Sequence, residues 1–162
     1  MYGTGKEVLN YESLMPGTPR KIVIYTDGGS RGNPGPSALG VVVADDKGKT
    51  VKTYAKTLGR KTNNEAEYAA LVFALEKVKA LFGKDKIKNM AVEIRTDSEL
   101  AVKQLTHQYK MEEERLQPLF MKVWNLTIDY GSVNFVHIPR EKNWEADRLV
   151  NEALDKEQGG LF

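Results

Sequence analysis

Apolar and polar positions along the chain alternate between two rhythms. KIVIYTD (21 to 27) is a short β-branched and aromatic run, and the breaker-rich GGSRGNPGP that follows predicts the end of that strand and a turn. ALGVVVAD (38 to 45) resumes strand character, DKGK (46 to 49) turns, and TVKTYAKTL (50 to 58) alternates polar with apolar residues. These three strands predict an antiparallel meander. The period then lengthens: from Asn63 to Phe82, Glu67, Leu71, Ala74 and Val78 recur at helical spacing, and Gly83 supplies a stop. MAVEIRTD (90 to 97) reads as a fourth strand, SELAVKQL (98 to 105) as a short helix, and residues 112 to 128 as another, with Pro118 in its first turn. SVNFVHI (132 to 138) is a last strand. NWEADRLVNEALDKE (143 to 157) is a last helix, with Ala146, Leu149, Val150, Ala153 and Leu154 along one face. The order βββαβααβα predicts an α/β domain: a mixed five-stranded sheet, three antiparallel strands then two parallel, packed by helices.

At 162 residues and 41% apolar content, the chain suits one globular core, placed at residues 20 to 157 between a short extension (1 to 19) and a tail (158 to 162). A net charge of +2 names no partner, but six of the basic residues fall between Lys47 and Lys61, which suits a solvated strand face or a phosphate-contacting surface. Cysteine is absent, which excludes disulfides and thiolate metal sites. No apolar run approaches a membrane span, so the expectation is a soluble, cytoplasmic monomer without membrane contact.

Candidate chemistry lies in four carboxylates. Thr62 and Glu65 stand three apart at the head of the long helix, as a capping box requires. Glu67 has no such role and heads an apolar stripe, where an unpaired carboxylate needs a cation: a salt-bridge partner or a metal ion. Asp27 closes the first predicted strand, where a turn aspartate is the ordinary explanation. Asp97 precedes a helix that it could cap, and Asp147 sits beside the apolar stripe of the last helix as an edge residue. Taken together, the four come from four elements whose ends converge at one crevice in an α/β sheet. Such a cluster repels itself unless cations bind. Oxygen-only ligands select hard ions such as Mg²⁺ or Mn²⁺, and a pair of these suits phosphoryl displacement.

YTDGGSRGNPGP, TNNEAEYAAL, TDSELAVKQL and HIPREKNWEADRLVNEAL, in that order, resemble the motifs of type 1 ribonuclease H across most of the chain. The resemblance implies the ribonuclease H-like fold, metal binding by Asp27, Glu67, Asp97 and Asp147, and hydrolysis of the RNA strand of RNA/DNA hybrids with two Mg²⁺ ions, Mn²⁺ being an alternative. It implies 5′-phosphate and 3′-hydroxyl products. Gly28, Ser30, Asn33, Asn63 and Asn64 match minor-groove contacts, Arg60 and Thr62 match a pocket for a DNA-strand phosphate, and His137 matches a histidine that assists proton transfer or product release. His137 equally suits a structural place at a strand end.

Two departures are visible. Between Gln104 and Leu126, where many family members carry a basic protrusion, this chain has three successive glutamates, so the protrusion is expected to be absent. The final QGGLF (158 to 162) suits a frayed helix end first, and also resembles peptides that dock on the sliding clamp. A phosphate-cradling nucleotide loop is excluded, because GGSRGNPG lacks a Gly-Lys-Ser/Thr ending and leads into a strand rather than a helix. A noncatalytic hybrid-binding module of the same fold is the alternative that stays open. A relative of transposases and integrases acting on DNA fits less well, since the asparagine pair is the wrong equipment.

Overall fold

The structure is a computed structural model that describes residues 20 to 159. The 1 to 19 extension and the last three residues of the QGGLF peptide lie outside that range.

Five strands form one sheet: β1 (Lys21–Ser30), β2 (Gly35–Asp45), β3 (Thr50–Lys61), β4 (Ala91–Thr96) and β5 (Ser132–His137). Their spatial order is β3-β2-β1-β4-β5, with the first three antiparallel and β4 and β5 running parallel to β1. The helices are α1 (Asn63–Phe82), α2 (Lys84–Ile87), α3 (Glu99–Leu105), α4 (Gln117–Ile128) and α5 (Trp144–Gly159), with a 3₁₀ turn at Arg140–Lys142. The mixed five-stranded sheet and its order are as expected from the two hydrophobic rhythms. Helix α2 and the 3₁₀ turn are additional, each too short to carry a recognisable period. Among the described residues, no helix is long and apolar enough to cross a membrane.

The period-two pattern of β1 and β2 splits the molecule into two layers. Ile22 and Ile24, with Leu39, Val41 and Val43, join Leu71, Leu75 and Val78 of α1 in the main core. The alternate positions face the other way, where Ala38 meets Val150 and Leu154 of α5. Helix α1 begins with the complete capping box: the Glu65 amide donates to Thr62 Oγ1 (3.2 Å) and the Thr62 amide to Glu65 Oε1 (3.1 Å).

Among the boundaries that differ from the sequence reading, two have a clear physical cause. The glycine-rich GGS does not end β1, which continues to Ser30 and pairs Asp27, Gly28, Gly29 and Ser30 with Gly40, Leu39, Ala38 and Ser37. The turn therefore shrinks to residues 31 to 34. The glycines serve close approach instead of chain reversal: a Cβ on Gly28 would lie 2.2 Å from the Ala66 carbonyl carbon of α1, and one on Gly40 would lie 2.3 Å from the Ala146 carbonyl oxygen of α5. Helix α4 starts at Gln117, five residues later than expected, because Pro118 is tolerated only in a first turn and the three glutamates before it repel one another.

Both helices thus rest on the sheet where it has no side chain. Replacing Gly40 by Ala is expected to lever α5 outward and cost on the order of 1–3 kcal/mol, read as a lowered midpoint in denaturant unfolding with little change in slope.

Candidate active site

Strand β4 stops at Thr96, in register with Thr26, so Asp27 to Ser30 of β1 run on with no neighbour on that side. Backbone amides along this free edge need acceptors. Helix α1 supplies two of them: Gly28 N donates to Glu67 Oε1 (3.2 Å) and Ser30 N to Asn63 Oδ1 (2.9 Å). The spacings match, since four helical residues rise about 6 Å and two strand residues about 6.6 Å. This accounts for the polar head of the α1 stripe. It does not account for its charge, because a glutamine would accept the same bond.

The second Glu67 oxygen accepts from Thr96 Oγ1 at 3.3 Å, and among the described residues no ion pair includes Glu67. The salt-bridge explanation therefore has no partner here. Asp27 is 7% exposed and hydrogen bonded to Glu67. Asp97 follows the end of β4, and the capping that might have explained it belongs to Ser98, whose Oγ accepts from Ala101 N at 3.3 Å. One carboxylate oxygen each from Asp27, Glu67 and Asp97 lie within 4.8 Å of one another. Asp147, in the first turn of α5, lines the same cleft of about 580 Å³ and pairs with the exposed Arg140 at 3.8 Å.

Residues 25–153 match the sequence model of the family described as Reverse transcriptase-like. The chain is 41% identical over 142 residues to Ribonuclease HI of Halobacterium salinarum, covering 88% of this chain and 68% of that protein. The chain belongs to the type 1 ribonuclease H family. Its fold is similar to that of LC11-RNase H1, isolated from compost (TM-score 0.80, 49% identity, 86% of this chain and 99% of that one), and to the same protein in complex with an RNA/DNA hybrid (TM-score 0.80, 48% identity, 85% and 99%). It is also 38% identical, over 83% of its length, to the Bifunctional protein Rv2228c of Mycobacterium tuberculosis, of which it spans 36%.

Around the carboxylates of this type 1 ribonuclease H, the other anticipated residues divide into two groups. Gly28, Ser30, Asn63 and Asn64 line the cleft. Asn33 stands behind them in the β1–β2 turn, its Oδ1 accepting from the Asn63 amide at 3.0 Å. Arg60 is exposed on β3, paired in register with Pro36, and Thr62 caps α1; neither lines the cleft. His137 ends β5 in register with Thr96, is exposed, and lies outside the cleft lining. Its charged neighbour is Glu99, whose carboxyl is held below its usual range by Lys103 and, to a smaller degree, by His137.

Sequence reasoning passed over Asn143, which is 1% exposed. At the head of α5 it reads as an ordinary cap, and its carbonyl does accept from the Asp147 amide (3.1 Å). Its side-chain Nδ2, however, donates to the Thr26 carbonyl (2.8 Å), one residue before Asp27. One asparagine thus ties the helix of Asp147 to the strand of Asp27. Only a contact 117 residues distant in sequence reveals it.

Burial dominates the electrostatics. It pushes Asp27 up to about 7, with Glu67 as its hydrogen-bonding partner and the charges of Asp97 and Asp147 adding to the rise. Glu67 is pushed well above its usual value by burial first and by the Asp27 charge second. Without a cation, burial and mutual repulsion favour a proton held on the pair. The donor set fits a hard divalent ion, which would replace that proton.

The linkage has a definite sign. Both folded-state values exceed the unfolded ones, so folding takes up protons above about pH 4, and the metal-free protein loses this contribution as pH rises, through about 7 in the case of Asp27. Glu67→Gln keeps the acceptor for Gly28 and removes the repulsion. In EDTA its stability advantage over wild type is expected to widen from pH 5 to pH 7, by at most about 1.4 kcal/mol per pH unit, and to shrink on adding Mg²⁺.

Proposed function

We propose that this protein is a metal-dependent endoribonuclease that hydrolyses the RNA strand of RNA/DNA hybrids, leaving 5′-phosphate and 3′-hydroxyl ends. The observation that carries the reading is the meeting of three carboxylates from three separate elements, within 4.8 Å, on the floor of an open cleft. A structural role would not call for three carboxylates this close together, one buried and two half-buried, since their mutual repulsion costs free energy unless a cation is shared among them.

Asp27, Glu67 and Asp97, with Asp147 beside them, would hold Mg²⁺ or Mn²⁺, two ions in the reading preferred here; bound, such ions polarise the phosphate and lower the pKa of the attacking water. The protein's part is preorganisation. Glu67 is fixed by the Gly28 amide and Thr96 hydroxyl, so its two oxygens cannot rotate away from Asp27. Asp147 is set by the Asn143 bridge to β1.

Substrate contacts follow from the same edge. Gly28 and Gly29 would present their backbone to a duplex lying in the cleft, and the Ser30 hydroxyl and the Asn63 and Asn64 amides offer neutral partners for minor-groove 2′-hydroxyls. Such partners distinguish RNA from DNA without charge. Arg60 and Thr62 would take a phosphate of the DNA strand farther along the duplex, beyond the cleft. His137 would act only at the periphery, in proton transfer or product release, since it is exposed and outside the cleft lining. A dock on a sliding clamp through Gln158 to Phe162 belongs to the same proposal.

The alternative, a hybrid-binding module without catalysis, differs in one measurement. Asp27→Asn is expected to lower Mg²⁺-dependent cleavage of the labelled RNA strand by at least about 10³-fold while hybrid affinity stays within severalfold. A wild type that binds hybrids yet cleaves none of RNA/DNA, RNA/RNA or DNA/DNA duplexes with Mg²⁺ or Mn²⁺ would leave only the binding module standing.

A further inference from the structure

The turn between β1 and β2 is fastened on two sides. Toward α1 it is held by asparagine: Asn33 Oδ1 takes the Asn63 amide, and Asn63 Oδ1 takes the Ser30 amide. Toward α5 it is held by the Arg31 side chain. The guanidinium donates to Asp155 Oδ1 at 2.7 Å, Gln158 Oε1 at 2.6 Å and Asn151 Oδ1 at 3.4 Å. These three acceptors are spaced by four and three residues, so they form one stripe of α5. The Arg31 side chain is 34% exposed, less than its partner Asp155 at 68%.

Arg31 also lines the cleft, where a cation facing a nucleic acid would ordinarily be read as a phosphate ligand. Three of its five N–H donors are otherwise engaged. A guanidinium presents its N–H groups in one rigid fork, and here Nη1 and Nη2 both point along α5. The turn therefore bridges the two helices that carry Glu67 and Asp147.

We infer that Arg31 is a positioning residue: it braces the β1–β2 turn against α5, so that the Gly29–Ser30 wall of the cleft is set before substrate arrives. The inference rests on the hydrolase reading for its consequence, since a preset wall lowers the ordering cost of binding rather than the chemical barrier. Through Gln158 the brace reaches the last turn of α5.

Three variants of the full chain test it: Arg31→Ala, Asp155→Ala and the double variant, with Arg31→Lys as the conservative control. Each single alanine is expected to raise KM for an RNA/DNA hybrid roughly three- to tenfold with kcat within about twofold. The double variant is expected to be no worse than the worse single, because both remove one brace. Arg31→Lys keeps the charge but not the fork and is expected to fall between wild type and Arg31→Ala. Hydrogen exchange of the turn amides in the free protein is expected to quicken in both alanine variants. A phosphate ligand would behave otherwise: Asp155→Ala would leave KM unchanged or lower it, Arg31→Lys would match wild type, and only Arg31→Ala would weaken the salt dependence of binding. That pattern overturns the inference, as does quickened exchange with unchanged KM, or exchange unaltered by Asp155→Ala. If the wild type neither binds nor cleaves hybrids, the hydrolase reading and the wall's role in binding both fall, while the exchange data still decide whether the brace exists.

Discussion

Everything in this molecule that concerns chemistry depends on how closely two helices approach the sheet. Side chains normally hold packed layers well apart, about 10 Å for two stacked sheets, and bare backbone lets them come closer. Here α1 crosses β1 at Gly28 and α5 crosses β2 at Gly40, at distances that leave no room for a Cβ. Glu67 and Asp147 are thereby brought to Asp27 from opposite faces. The early end of β4 supplies the gap through which Glu67 reaches the free edge of β1.

That convergence works against stability. Burying Asp27 beside Glu67 opposes ionisation of both, and Asp97 and Asp147 add to the repulsion. The surrounding structure tolerates it because the apolar layer of α1 on the strands is continuous and because several neutral polar groups nearby hold backbone groups or caps. Asn63 and Asn143 each hold a backbone group, and Ser98 takes the cap that would have occupied Asp97. Two buried oxygens, Thr26 Oγ1 and Asn143 Oδ1, are without partners among the described residues, and both lie next to the site. A cluster that is uncomfortable when empty is one that a cation can relieve.

Much of this was legible in advance, and what was legible had a local cause. The strand and helix rhythms follow from which face of an element is buried, so the meander, the long α1 and the amphipathic α5 could be read directly. The capping box at Thr62 and Glu65 involves residues three apart, and Glu67 was conspicuous because it broke the pattern of its own helix. The misread boundaries were those where the local signal was correct and its meaning was not. Glycines at 28 and 29 ordinarily mark a turn, yet here they remain in the strand because a helix lies against them.

By itself, then, the sequence determined the element order, the two apolar layers and a short list of carboxylates lacking a local purpose, since those depend on neighbours within a few residues. Only the tertiary structure decided which of them meet. It separated Asp27, Glu67 and Asp97, whose oxygens converge, from Arg60 and His137, which stay outside the cleft. It also exposed Asn143 and Arg31, whose partners lie more than a hundred residues away. Contacts at that separation are fixed by packing, which leaves no periodic trace in the chain.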